Sequence, residues 1–275
     1  MNYICGLTIL SPDVRLPPMS KLAANDKFLD LSDYGRPLAT VFANQLKDTR
    51  FTPIHVTLLF GISGIIAIYC ILNGYYFYAG IFIILKSIID GADGELARIK
   101  ETPSYTGRYL DSVFDIILNF SFLMTICYVS KTTIWFTILA FIGIQLQGTL
   151  YNYYYVILRN NSIGGDTTSK IFEYETPKAF PQESQVAVDI LFNMYNFFYG
   201  IFDRTIHLLD KEAYKAKTFP NWFMTMLSVY GLGFQLLIIA IMLPLNLIDY
   251  IVPFFIVYTT FMFVLIGIRR VVLSI

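Results

Sequence analysis

The sequence predicts an all-α integral membrane protein: six transmembrane helices, an N-terminal interfacial helix and a cytoplasmic insertion between spans four and five. Three observations carry that reading. Of six apolar runs, five reach about 20 residues or more and the second about 16, the range in which a helix crosses a bilayer. Of 275 residues, 56% are hydrophobic and only 15% charged, where a soluble domain carries about 25% charged residues. Lysine and arginine cluster on one set of connections: six before residue 54, three at 98–108, seven at 159–217 and two at 269–270, so 18 of 20. The positive-inside rule then places both termini, these connections and any site beside them in the cytoplasm, at the inner membrane if the source is bacterial.

Residues 1–53 form the first segment. Met1 to Leu10 is too short, and lacks the basic start, of a signal peptide. From Arg36 to Lys47, Pro37 suits a first helical turn, and Leu38, Val41, Phe42 and Leu46 make one apolar stripe. This pattern predicts a helix lying on the membrane.

Residues 54–159 hold four spans. The first runs from about Ile54 to Asn73, with His55 at its mouth as either a ligand or an interfacial residue. The second runs from Tyr75 to Asp90. It contains Lys86, which is either a charge partner for a site around Asp90 or a lysine snorkelling to the interface. The third runs from Tyr109 to Ser130. The fourth, Thr133 to Leu158, ends in Tyr151-Asn-Tyr-Tyr-Tyr155, expected to be an interfacial aromatic belt.

Residues 160–218 break the pattern. Asn160 to Thr168 reads as loop, Pro177 and Pro181 punctuate the chain again, and Val186 to Leu209 mixes apolar residues with Asp189, Asp203 and Arg204. The expectation is an amphipathic hairpin or interfacial helix. Residues 219–275 supply the last two spans, about Trp222 to Leu245 and Tyr250 to Val272. Arg269 and Arg270 are expected to anchor the end to lipid headgroups. The formal net charge is zero, which gives no reason to expect nucleic acid. Cys5, Cys70 and Cys127 lack metal-ligand spacing and read as small hydrophobes.

The chemistry concentrates between Asp90 and Asp115. Ionised carboxylates beside apolar runs are costly and usually functional. Asp90, Asp93 and Ala97 share one helical face, and Gly107, Asp111 and Asp115 share a face of the next helix. If the two helices pair, four carboxylates meet and repel, and hard divalent cations are the simplest remedy. Two such ions clamp the oxygens of an in-line phosphoryl displacement. Gly94 and Ala97 leave room beside the cluster, and a carboxylate free of metal can take the proton of an attacking hydroxyl.

Asp90-x2-Asp93-Gly94-x2-Ala97-Arg98-x8-Gly107-x3-Asp111-x3-Asp115 resembles the signature of the CDP-alcohol phosphotransferases, membrane enzymes of phospholipid biosynthesis, at all eight fixed positions. The order of apolar spans extends the resemblance to roughly residues 33–160. It implies that Asp90, Asp93, Asp111 and Asp115 hold two magnesium or manganese ions at a CDP-linked donor, CDP-diacylglycerol or CDP-alcohol. Asp115 would also be the general base towards an alcohol acceptor, with CMP released. Gly94 and Ala97 would make room for the nucleotide, Arg98 would serve donor phosphate or charge balance, and Gly107 would let helices approach. Members read Thr-Pro-Asn-x-x-Thr where this chain has Thr52-Pro-Ile-His-Val-Thr57, so Thr57 alone carries over to the donor. The resemblance further implies a homodimer in membrane lipid. The stretch from Gly107 to Asp115 is closer to the inositol-phosphate-using branch than to glycerol-phosphate enzymes.

The alternative of another class is a cation transporter or channel with ion-binding intramembrane aspartates. That reading accounts for the carboxylates but not for Gly94, Ala97, Arg98 and Gly107 at these spacings.

Overall fold

A computed structural model describes Leu22 and residues 26–161, 170, 173 and 175–273. The opening ten residues and Cys5 lie outside these, as do residues 162–168 of the expected loop. All regular structure among the described residues is helical. A 3-10 turn at Leu31–Asp33 precedes α1 (Arg36–Leu46), α2 (Pro53–Leu72), α3 (Tyr76–Ile99), α4 (Tyr105–Ser130), α5 (Ile134–Asn161) and α6 (Gln185–Leu209). After a second 3-10 turn at Ala213–Lys215 come α7 (Asn221–Ser228), α8 (Leu232–Met242) and α9 (Ile248–Val272).

Four of these, α2, α4, α5 and α9, are long and apolar enough to cross a membrane. The second predicted span is a 24-residue helix, α3, whose C-terminal half is charged by Asp90, Asp93, Glu95 and Arg98; it falls outside that set. The fifth predicted span differs too. It is a bent pair, α7 and α8, meeting at 45°. Gly231 is extended at the break, and a Cβ on Gly233 would lie 1.9 Å from the Ser32 carbonyl oxygen. The N-terminal 3-10 turn thus rests against the backbone there, and the Leu31 amide donates to Ser228 Oγ at 2.9 Å.

Outward faces are apolar, with Ile65, Tyr69, Trp135, Phe136 and Phe261 all more than half exposed. Such a surface suits lipid, in which packing and close approach rather than water exclusion hold helices together. At Gly80 a Cβ would meet the Ala240 carbonyl oxygen at 2.5 Å, so α3 and α8 touch backbone to backbone. One core joins Phe60, Ile83, Phe122, Ile144, Leu236 and Phe255. A second, around Tyr154, Phe223, Leu227 and Met262, holds α5, α7 and α9.

The expected amphipathic element of the insertion is a single helix, α6, which packs on α4 and α5. Two expectations fail here. The tyrosines at the end of α5 are not a belt: Tyr154 is fully buried and donates to Asp210, and Tyr151 donates to Asp30 at 2.5 Å. A buried phenol needs an acceptor, and carboxylates of α6's end and the N-terminal turn supply them. Arg269 is not a headgroup anchor either: it is 4% exposed and its Nε donates to Asp210 at 2.6 Å. Arg270 is more exposed and donates to the Leu209 carbonyl.

Candidate functional site

Asp90 and Asp93 ride on α3, one turn apart, and Asp111 and Asp115 on α4. Residues 100–104 join the two helices, and both rest on α2. Thr52 opens α2: its hydroxyl accepts from the His55 amide while His55 Nδ1 accepts from the Thr52 amide at 3.0 Å, a reciprocal cap. His55 therefore serves the helix end. One turn further, the Thr57 hydroxyl donates to Asp93 Oδ2 at 2.6 Å.

The side chains then converge. Asp90, Asp93 and Asp111 each offer a carboxylate oxygen within 4.8 Å of the others. Oδ1 of Asp111 is buried and takes no hydrogen bond among the described residues, a costly state for a carboxylate oxygen in a poorly solvated place. Three hard oxygens and an orphaned acceptor fit magnesium or manganese. Asp115 is engaged differently. Lys86, fully buried, donates to Asp115 Oδ1 and, at 2.8 Å, to Asp90 Oδ2.

The remaining predicted residues fall around this group. Among the described residues, a Cβ on Gly94 would meet Arg98 Nη1 alone, at 3.6 Å, so the face beside Asp93 is open. Ala97 is half-buried on the same helix. Arg98 donates to Glu95 at 2.6 Å, and Arg36 of α1 reaches the same oxygen at 3.3 Å. Gly107 lies against Ser104, whose Oγ would be 3.1 Å from a Cβ and accepts from the Gly107 amide at 2.7 Å. Its nearest neighbour on another helix is Ile54, at 4.0 Å.

Sequence reasoning missed the hold of the insertion on α4. Glu183 accepts from the Thr106 amide at 2.8 Å and from the Ser104 hydroxyl at 2.6 Å, placing an anion on the helix's positive end. Phe180 stacks on Tyr105 with centroids 4.9 Å apart. Glu173 pairs with Arg108 and accepts from the Tyr109 hydroxyl at 2.9 Å. Tyr199 of α6 donates to the Ser112 carbonyl at 3.0 Å, between Asp111 and Asp115 in sequence. A cavity of about 110 Å³ between α5 and α6 is lined by Asn152, Tyr195, Asp203, Arg204 and His207, among others. Only Ser104, a cap-type residue three before Gly107, had a local signal.

Residues 50–177 match the family model described as CDP-alcohol phosphatidyltransferase. This segment belongs to that family. The match takes in the whole carboxylate cluster and ends before α6. Over 103 residues the chain is 36% identical to a bifunctional IPC transferase and DIPP synthase of Thermococcus kodakarensis, covering 36% of this chain and 24% of that protein. Over 90 residues it is 34% identical to the protein of the same description from Aquifex aeolicus, covering 32% of this chain and 20% of the relative. The chain thus spans about a quarter or less of the length of the curated relatives it matches.

Proposed function

We propose that this chain is an integral membrane transferase that moves a substituted phosphate from a CDP-linked donor to an alcohol, releasing CMP. The observation that carries this reading is the convergence of Asp90, Asp93 and Asp111 from two helices within a family-matched segment. Those three residues would hold a divalent cation, magnesium or manganese, which when bound offsets charge on the donor pyrophosphate.

The chain's own residues do the rest. Thr57 fixes Asp93 in place, and the open face at Gly94 and Ala97 admits the nucleotide. The acceptor oxygen forms a new bond to the phosphorus that bears the donor's alcohol group. The bond from that phosphorus to the CMP oxygen breaks, and CMP leaves with the electron pair. The hydroxyl proton goes to Asp115, whose Oδ1 is held by Lys86, leaving Oδ2 to receive it. Arg98 balances the charge of Glu95 beside the donor. The protein works in membrane lipid as a homodimer with six spans, α3 and the bent α7–α8 pair included, and its site opens to the cytoplasm. An inositol phosphate heads the acceptor series, on the resemblance of Gly107 to Asp115.

The test is CMP release by purified protein in lipid, over a panel of CDP donors and alcohols, with mass spectrometry of the products. Magnesium or manganese should support turnover, a chelator should abolish it and calcium should substitute poorly. Full activity in metal-free buffer would defeat the metal assignment. Cation flux in liposomes without CMP release would favour the transporter.

A further inference from the structure

Lys86 sits one turn before Asp90 on α3 with its side chain fully buried. A lysine in a span normally sends its ammonium to the interface. Here Nζ points inward, contacts Asp90 and Asp115 and lies 4.6 Å from the centroid of the Phe60 ring. A buried ammonium persists only where opposite charge and hydrogen bonds compensate its lost hydration. Two carboxylates and an aromatic face do so here.

The four aspartates are therefore divided. Asp90, Asp93 and Asp111 present oxygens to a common point. Asp115 turns Oδ1 to the ammonium. The orphaned oxygen belongs to Asp111, one of those three. A divalent ion at the three-aspartate point would satisfy that oxygen. An ion between Asp90 and Asp115 would have to displace the ammonium from oxygens it already occupies, and strand it in an apolar surround.

We propose that the Lys86 ammonium is a built-in cation of the cluster, holding the place between Asp90 and Asp115, so that the site binds one divalent ion rather than two. The inference rests on the reading of these aspartates as metal ligands. Lys86 is then a positioning residue: it fixes Asp115 and contributes positive charge without coordinating anything.

Manganese binding to the purified full chain, without donor or acceptor, tests this independently of turnover. Electron paramagnetic resonance of free manganese gives the number bound. One ion per chain is expected in the wild type, two in Lys86→Met with a spectrum of coupled ions, and one again in Lys86→Arg. Two ions in the wild type, or one in folded Lys86→Met, overturns the inference. Should Lys86→Met not fold, the wild type labelled with ¹⁵N-lysine decides. Nitrogen hyperfine coupling to the single bound manganese supports an ammonium at the cluster, and its absence overturns it. No bound manganese in any form would overturn the inference and the metal reading together, whereas two ions in the wild type would overturn the inference alone.

Discussion

Glu183 lies on the end of the helix that carries Asp111 and Asp115, its carboxylate accepting from the Thr106 amide at 2.8 Å. The residue comes from the insertion, outside the family-matched segment. It links that insertion to the carboxylate cluster through α4. Burial by itself would push the Glu183 carboxyl up, but the Ser104 hydroxyl and the Thr106 and Tyr105 donors hold it below the usual carboxylate range.

The first prediction follows from that sign. A group with a depressed folded-state pKa stabilises the fold above its unfolded value and loses that contribution as pH falls through the folded one. Glu183→Gln keeps an acceptor but loses the charge, so it should lower stability at pH 7 by about 0.3–1 kcal/mol, the usual worth of an anion at a helix N-terminus. The difference should fade below about pH 4. Unfolding of both proteins in detergent across pH measures it, and a constant difference down to pH 3 would contradict the assignment.

Asp203 has the opposite sign. On α6, burial and the neighbouring Glu173 push its carboxyl up to about 7. An acid with a raised folded-state pKa carries a cost that is absent below its unfolded value of about 4 and complete above about 7. Asp203→Asn should gain stability over the wild type progressively between those limits and by a constant amount above them. Thermal unfolding midpoints at pH 4, 6 and 8 would show this, and an equal gain at all three would refute it.

Asp115 and Asp93 should separate by role. Asp115→Asn keeps shape but cannot accept the acceptor's proton. Donor affinity should then stay within about tenfold, or about 1.4 kcal/mol, while turnover falls by roughly 10²–10⁴. Asp93→Asn loses a ligand oxygen and the full partner of Thr57, so metal and donor binding should weaken together. Calorimetry beside initial rates distinguishes them. Normal turnover by Asp115→Asn would remove it as the base.

The fourth prediction concerns α6. Cysteines placed at exposed Gln182 and Lys215, in a chain freed of Cys5, Cys70 and Cys127, flank this helix. Both should react with an impermeant maleimide from the cytoplasmic side. Labelling from opposite sides would mean that α6 crosses the membrane.

Much of the molecule was legible along the chain because its signals are local. Apolar length marks α2, α4, α5 and α9 without reference to any neighbour, and the spacing from Asp90 to Asp115 encodes which carboxylates share a helix face. Lys86 could be placed on the face of Asp90 by counting, yet counting left its two readings open. Its direction depends on Phe60 and Asp115, which lie on other helices.

What the sequence determined by itself was the apolar length of α2, α4, α5 and α9 and the placing of Asp90 and Asp93 on one helix and Asp111 and Asp115 on the next, since hydropathy and spacing are properties of consecutive residues. What only the tertiary structure decided was that Asp90, Asp93 and Asp111 gather around one point while Asp115 shares Lys86 with Asp90. It also decided the hold of Glu183 on the end of α4, the break of the fifth run under Ser32, and the burial of Tyr154 and Arg269 on Asp210. Each of these joins residues from segments far apart in the chain. Each is set by which polar group can find a partner once the helices have packed, and no periodicity along one strand of sequence contains that information.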